Sequence, residues 1–367
     1  MVSVVQTSTN HYYKIEYFRR SEASWLLFTR HTVTGKRLVI KMLREYHDNR
    51  YNFTTVDARQ KSQIEALRWN KKFTHGVYLG LARLYFVNLK QKIIGIGEII
   101  KRLEQKDLDP KAEYVLLMRQ LPKRRRLDQL LKAKDSTLLY NDVRLVTEYV
   151  AKMHRKLPSL PAVQESEIRW GGPEQLSEKL AANLVFFDKI LAPEKKGQYD
   201  FYSFLKETMR RTLENPQYRQ YFEKRIPRYI KRCHGDLKST NIWVTQYYDR
   251  REQKSRKNVK LLDAIDFNAS FSNIDVLSDF AMLVIDVQAR TQLPELAGTM
   301  IEEYLAMTRQ QDESARFLLK YYLVEKAMVG AVINIIFDRQ PELGVALLNI
   351  ATLYAAELLT ENATENA

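Results

Sequence analysis

Asp236 and Asn241 stand five residues apart in the stretch Cys233-His234-Gly235-Asp236-Leu237-Lys238-Ser239-Thr240-Asn241, which runs on into the apolar Ile242-Trp243-Val244. A carboxylate so placed can orient or accept the proton of an attacking hydroxyl. An amide at the far end of the same short loop can hold a metal ion on a chain of phosphates. The apolar run predicts a buried strand that anchors the loop. Further along, Val259-Lys260-Leu261-Leu262-Asp263-Ala264-Ile265-Asp266-Phe267 is a second apolar run with two acids, Asp263 and Asp266. One of them is placed to be the second metal ligand. Taken together, the two segments carry the residue types that phosphoryl transfer needs.

Other elements must present the phosphates to that loop. Residues 11–42 read as strands: Ser24 to Thr29 and Arg37 to Met42 are β-branched or aromatic runs around Val33-Thr34-Gly35-Lys36, a turn in which Gly35 supplies positive φ. Lys41 ends the second run. It is either a lysine snorkelling out of an edge strand or a phosphate-binding lysine of the kind found on the third strand of protein kinases. Thr55 to Phe73 has helical spacing with Thr55 as N-cap, and Glu65 on it is either a solvated acid or the ion-pair partner of Lys41. Three strand-like runs follow, Val77 to Phe86, Ile93 to Ile100 and Tyr114 to Met118. The segment Met118-Arg119-Gln120-Leu121 then leaves the sheet as a hinge whose backbone can hydrogen-bond an adenine, or as a plain linker.

Helical spacing returns at Asp142 to Leu157, where His154 reads as structural, and again from Gly171 to Leu191 and from Phe201 to Lys224. Asp275 or Asp279 opens an apolar helix, as a cap, as a buried brace beneath the loop of Asp236, or as both. Several apolar-periodic helices fill 296–361, and the polar tail 360–367 is expected to fray.

At 367 residues, with 45% hydrophobic and 28% charged residues, the chain has ample core for one large domain or two lobes. A single cysteine, Cys233, excludes an intramolecular disulfide and fits a reducing compartment. The start Met1-Val2-Ser3-Val4-Val5-Gln6 has no secretory pattern, and Phe317 to Phe337 is interrupted by Lys320, Glu325 and Lys326. A cytoplasmic protein without membrane insertion is expected. The net charge, 59 − 44 = +15, favours anionic partners, yet only Lys123 to Arg126 and Arg250 to Lys260 are dense basic clusters, and both read as solvated loops.

With these residues assembled, the chain resembles the aminoglycoside phosphotransferase branch of the protein-kinase-like superfamily. His234-Gly235-Asp236 with Asn241 is similar to that branch's catalytic loop, and Lys238 is similar to the loop lysine of Ser/Thr protein kinases that neutralises the transferring phosphoryl group. More narrowly, Tyr78-Leu79-Gly80, Met118-Arg119-Gln120, Gly172-Pro173-Glu174, His234-Gly235-Asp236-Leu237 with Asn241-Ile242, Asp263 to Asn268, and Ile274-Asp275-Val276 with Ser278-Asp279-Phe280-Ala281 resemble an uncharacterised bacterial group of aminoglycoside phosphotransferase family enzymes. The likeness runs over nearly the whole chain.

The resemblance implies an α+β, two-lobed protein-kinase-like fold. A small antiparallel-sheet lobe (1–119) would precede a mainly helical lobe (120–367) carrying the catalytic loop 233–244 and the metal segment 259–268. It implies ATP and Mg²⁺, with Asp236 as base and Asn241 and Asp263 or Asp266 as metal ligands. Lys41, Glu65 and Met118 would serve the nucleotide, and a small molecule would be the acceptor. Two departures are plain. No Walker A motif is present, and Arg20-Ser21-Glu22-Ala23-Ser24 stands where a glycine-rich loop would cover the phosphates. A nucleotide-binding pseudokinase with a regulatory role is therefore the second reading. A nucleic-acid-binding module, resting on charge alone, is the third.

Overall fold

The computed structural model describes residues 11–47, 52–88, 90–101, 108–132, 136–160, 169–190, 202–249, 252–337 and 339–364. The segment Met1 to Gln6, Arg250, and the ends of two expected helices, Leu191 and Phe201, lie outside the described residues. The chain divides into two compact units, Met1–Pro122 with Lys260–Asn268, and Lys123–Val259 with Ala269–Ala367.

The first unit is an antiparallel sheet of β1 (His11–Arg20), β2 (Ser24–His31), β3 (Arg37–Leu43), β4 (Tyr78–Asn88), β5 (Ile93–Ile96) and β6 (Tyr114–Arg119). Its order is β1-β2-β3-β6-β4-β5, and pairing of β1 with β5 closes it into a barrel, which removes both sheet edges. Gly35 turns the β2–β3 hairpin with φ +68°. Alternation along β3 buries Leu38 and Ile40 in the barrel interior with Tyr13, Ala82, Ile94 and Leu117. The outer face of β4 and β6 receives α1 (Val56–Phe73), whose Ile64 and Leu67 pack on Val77, Tyr78, Leu81 and Leu116. Thr55 caps α1 by accepting the Ala58 N–H. The strand expected to reach Ile100 stops at Ile96, and Ile100 instead makes an isolated bridge to Leu81.

The sequence places a boundary at 119 and puts 259–268 in the second domain, whereas the first compact unit runs to Pro122 and takes in Lys260–Asn268. Leu262 packs against the α1–β4 cluster, and the Ala264 N–H donates to Asn70 Oδ1 at 2.9 Å. These contacts put Lys260–Asn268 in the first unit.

The second unit is mainly helical: α2 (Leu127–Leu130), α3 (Ser136–Lys156), α4 (Pro173–Ile190), α5 (Tyr202–Glu214), α6 (Pro216–Tyr229), α7 (Ala269–Ser272), α8 (Val276–Thr291), α9 (Pro294–Thr308), α10 (Glu313–Ile336) and α11 (Pro341–Thr364). Two small sheets join them. One pairs β7 (Ile230–Arg232) with β10 (Asn273–Asp275), the other β8 (Ile242–Asp249) with β9 (Lys254–Leu261). Buried residues surround α8 on every side, as expected of a helix at the centre of a core. The helix expected over 201–224 is two helices. Asn215 accepts the Gln217 N–H and Pro216 starts α6, so the chain is re-capped there. Only the beginning of the run 259–267 is strand, because β9 ends at Leu261 and the chain then follows an irregular path.

Phe317 to Phe337 lies largely within α10 and is mostly buried there, as its interrupting charges predict. Among the described residues α11 is long and apolar enough to cross a membrane by length and composition, and it packs along α10 and α8.

Candidate active site

The start of the loop after β7 is held from below by one carboxylate, that of Asp279. Asp275 caps α8 by accepting the Leu277 N–H at 2.8 Å, and Asp279 follows one turn later, 1% exposed. Asp279 accepts the His234 N–H at 3.1 Å and the Gly235 N–H at 2.8 Å, with His154 Nε2 at 3.0 Å. Burial alone would push this carboxyl up, but the His154 hydrogen bond and the neighbouring donors win and hold it below the ordinary carboxylate value. His154 is itself fixed by Tyr304, 2.7 Å from Nδ1. Gly235 adopts φ +82°, a left-handed turn that reverses the chain above Asp279 and leads into Asp236.

The cluster His154, Cys233 and Asp279 has ligand-type atoms within 4.8 Å of one another. Burial pushes the Cys233 thiol well up, and the His154 nitrogens and Asp279 oxygens already serve the loop. The cluster is a brace rather than a metal centre.

Above the brace, the Asn241 Nδ2 donates to the Asp236 carbonyl at 3.0 Å and to Asp236 Oδ2 at 2.8 Å. Lys238 Nζ lies 3.2 Å from the same Oδ2. Among the described residues, Asp236 Oδ1 and Asn241 Oδ1 have no protein donor. The first is open to a substrate hydroxyl, and the second suits a hard cation that takes oxygen ligands. A 3-10 turn, Ser239–Asn241, closes the loop, and its Ser239 N–H is taken by Asp286 Oδ2 at 2.8 Å. Ile242 and Val244 are buried, which pins the start of β8.

The first unit gathers a second group of charges. Lys41 on β3 points away from the barrel interior, and its Nζ lies 3.4 Å from Asp263 Oδ1. Gln63 of α1, 1% exposed, donates to the Lys41 carbonyl at 3.1 Å. Asp263 itself adopts φ +63°, its N–H donating to the Tyr78 hydroxyl at 2.9 Å. That hydroxyl is held protonated by burial and by the charges of Asp263 and Asp266. The Asp263 side chain is 68% exposed and Asp266 is half-buried. An exposed carboxylate presented on a strained backbone suits the same class of cation. Glu65 lies 3.2 Å from Arg68 on its own helix. Met118 pairs with Val39 and Tyr78 across the sheet and packs against the α1–β4 cluster.

The β1–β2 turn, where a glycine-rich loop would lie, is tied down by side chains. Ser24 N–H donates to Ser21 Oγ at 3.0 Å, and Arg44 Nη1 donates to the carbonyls of Ser21 and Glu22 at 3.1 and 2.9 Å.

Sequence reasoning missed Gln63, Asn70 and Asp286. Asp286 had a signal, since it follows Asp279 by seven residues on one apolar helix and so shares its face. For Gln63 and Asn70 there was none, because their partners are backbone groups remote in sequence.

No family model matches the chain, and no curated protein matches it in sequence. Among solved structures, an ethanolamine kinase from Plasmodium vivax is 10% identical with a TM-score of 0.49, over 92% of this chain and 81% of that one. A choline kinase from Cryptosporidium parvum is 11% identical with a TM-score of 0.50, over 95% of this chain and 91% of that one. At such identity the second likeness speaks for the fold alone, an α+β fold shared with that choline kinase.

Proposed function

We propose that the chain is an ATP-dependent phosphotransferase acting on a hydroxyl of a small-molecule acceptor. The observation that carries the reading is the Asp236 carboxylate, with Oδ2 clamped by Asn241 and Lys238 and Oδ1 left open. In the reaction the acceptor oxygen bonds to the γ-phosphorus as the bond to ADP breaks, and the hydroxyl proton passes to Asp236. Lys238 offsets the charge that gathers on the phosphoryl oxygens, and Lys41 engages the phosphates. Asn241 and, in the other unit, Asp263 and Asp266 each offer oxygen atoms that would suit Mg²⁺, which would supply further charge neutralisation. Glu65 would steady Lys41, and the backbone near Met118 would meet the adenine. The shared fold with a choline kinase is consistent with this class of reaction.

The test is a phosphorylation screen over metabolites with Mg-ATP, comparing the native chain with Asp236→Ala. Loss of a positioned base and of its loop contacts should cut transfer by about 10²-fold or more while nucleotide binding persists. Equal transfer by both proteins would refute the role of Asp236. The tied β1–β2 turn favours a second reading, a pseudokinase that binds nucleotide without transfer. A melting temperature raised by Mg-ATP, with no phosphoryl transfer to any acceptor or to water, would select it.

A further inference from the structure

A pocket of about 240 Å³ opens in the second unit, where the end of α8 meets the end of α2 and the start of α11. Asp128, Lys132, Arg290, Gln292, Gln340 and Glu342 supply its polar lining. Its charges are unequally engaged. Asp128 is taken, since Arg126 grips both its oxygens at 2.5 and 2.7 Å and Gln129 adds a bond at 2.6 Å. Arg290 hydrogen-bonds through Nε alone, to Asp286 Oδ1 at 2.8 Å, while its charge also helps to hold the Asp128 carboxyl below its ordinary value. Its two terminal nitrogens find no protein acceptor among the described residues, although the side chain is only 16% exposed. Lys132 stands on the rim with no ionic partner among the described residues, and so does Glu342.

A guanidinium with its fork open, beside a lone ammonium, is the arrangement that planar and tetrahedral oxyanions fit. The volume is below that of pockets for drug-sized ligands, roughly 300 Å³ and more, so a nucleotide is too large and a small metabolite fits.

We propose that this pocket binds a small oxyanion, a phosphate or a carboxylate, through the open fork of Arg290 and the ammonium of Lys132, and that its occupancy is felt by the loop carrying Asp236. The connection is short. Asp286 bonds Arg290 through Oδ1 and the Ser239 N–H through Oδ2. Ser239 begins the 3-10 turn that ends at Asn241, whose amide holds Asp236. An anion that immobilises Arg290 therefore immobilises Asp286 and the turn above it. Glu342 opposes the anion and limits its affinity.

The test is calorimetric titration of the full chain with inorganic phosphate and, separately, with acetate, which distinguishes the two oxyanions. At least one should bind saturably, about tenfold more weakly in Lys132→Ala and several-fold more tightly in Glu342→Gln. Lys41→Ala should bind as the native chain does, which separates this site from any that receives nucleotide phosphates. Saturable binding to neither probe, or binding indifferent to both pocket variants, overturns the site. The coupling is read without turnover, as slower amide exchange over 239–241 when the binding probe is present. Bound probe with unchanged exchange there overturns the coupling. An effect on transfer rate rests on the phosphotransferase reading, and neither of these measurements depends on it.

Discussion

Replacing Asp279 by asparagine removes one charge and almost nothing in volume, so the response isolates the electrostatics beneath the loop. The native carboxylate takes two backbone N–H groups and faces His154 Nε2, all within 3.1 Å. An amide keeps one accepting oxygen and turns an NH₂ toward donors. One or two charge-assisted bonds are lost, each worth about 1.5–3 kcal/mol, and a buried donor is left unpaired. A loss of about 3–5 kcal/mol follows, a large part of the roughly 5–15 kcal/mol that holds a domain together.

The pH dependence gives a second readout. Asp279 titrates in the folded chain below its unfolded value of roughly 3.9. Its stabilisation is therefore complete above about pH 5 and is lost as pH falls through the lower, folded value. Urea unfolding followed by circular dichroism should show the native–variant gap at full size at pH 6–7 and shrinking below about pH 4. A gap under about 1 kcal/mol, unchanged between pH 7 and 3, would refute the account of Asp279 as an ionised brace.

Gly235→Ala places a side chain at φ +82° and should cost about 1–2 kcal/mol. Phosphoryl transfer should fall further than that figure implies, because the turn sets Asp236; a melting temperature unchanged from the native chain would count against it. Tyr78→Phe leaves the Asp263 N–H without its acceptor and should weaken Mg²⁺ binding by the proposed enzyme, read as a several-fold higher Mg²⁺ concentration for half-maximal transfer. Glu325→Gln strips the counter-charge from the half-buried Lys179 at 3.0 Å and the buried Lys326 at 3.2 Å, and should destabilise by about 3–5 kcal/mol in a urea melt. Burial pushes Lys326 down to about 8. The unfolded chain thus keeps a proton that the folded chain sheds, and this group's contribution to stability rises from about pH 8 to 10. Lys326→Met should remove that rise, and an identical alkaline limb in both proteins would contradict it.

Much of the fold was legible because the signals were local. Gly35 in the hairpin turn, Thr55 as a cap and the alternation along β3 each depend on neighbours within a few residues. Where the sequence misled, the deciding contact was distant or a single residue outweighed the periodicity. Apolar spacing runs through 201–224 without interruption, yet Asn215-Pro216 re-caps the chain. The segment 260–268 begins in the last residues of β9 and reads in sequence with the second domain, but Tyr78 and Asn70, nearly two hundred residues earlier, claim its backbone. No window of sequence contains that pairing.

The same division runs through the candidate site. Groups proposed to do chemistry, such as Asp236 and Asn241, are readable because a short loop must carry both at a fixed spacing. The groups that hold them are chosen by another rule: each must meet a backbone N–H that the turn leaves exposed. Asp279 meets those of His234 and Gly235, and Asp286 meets that of Ser239. A buried carboxylate facing amides resembles any helix acid in sequence, and only its recurrence one face-repeat later on α8 marks the pair. It follows that substitutions at Asp279 and Asp286 should not act independently, since both hold one loop of fewer than ten residues. The double substitution to asparagine should cost measurably less than the sum of the single ones, because once either end is released the other has less ordered backbone left to hold. Strict additivity in a double-mutant cycle would mean that the two acids support separate structures, and that the loop is not the single braced unit described here.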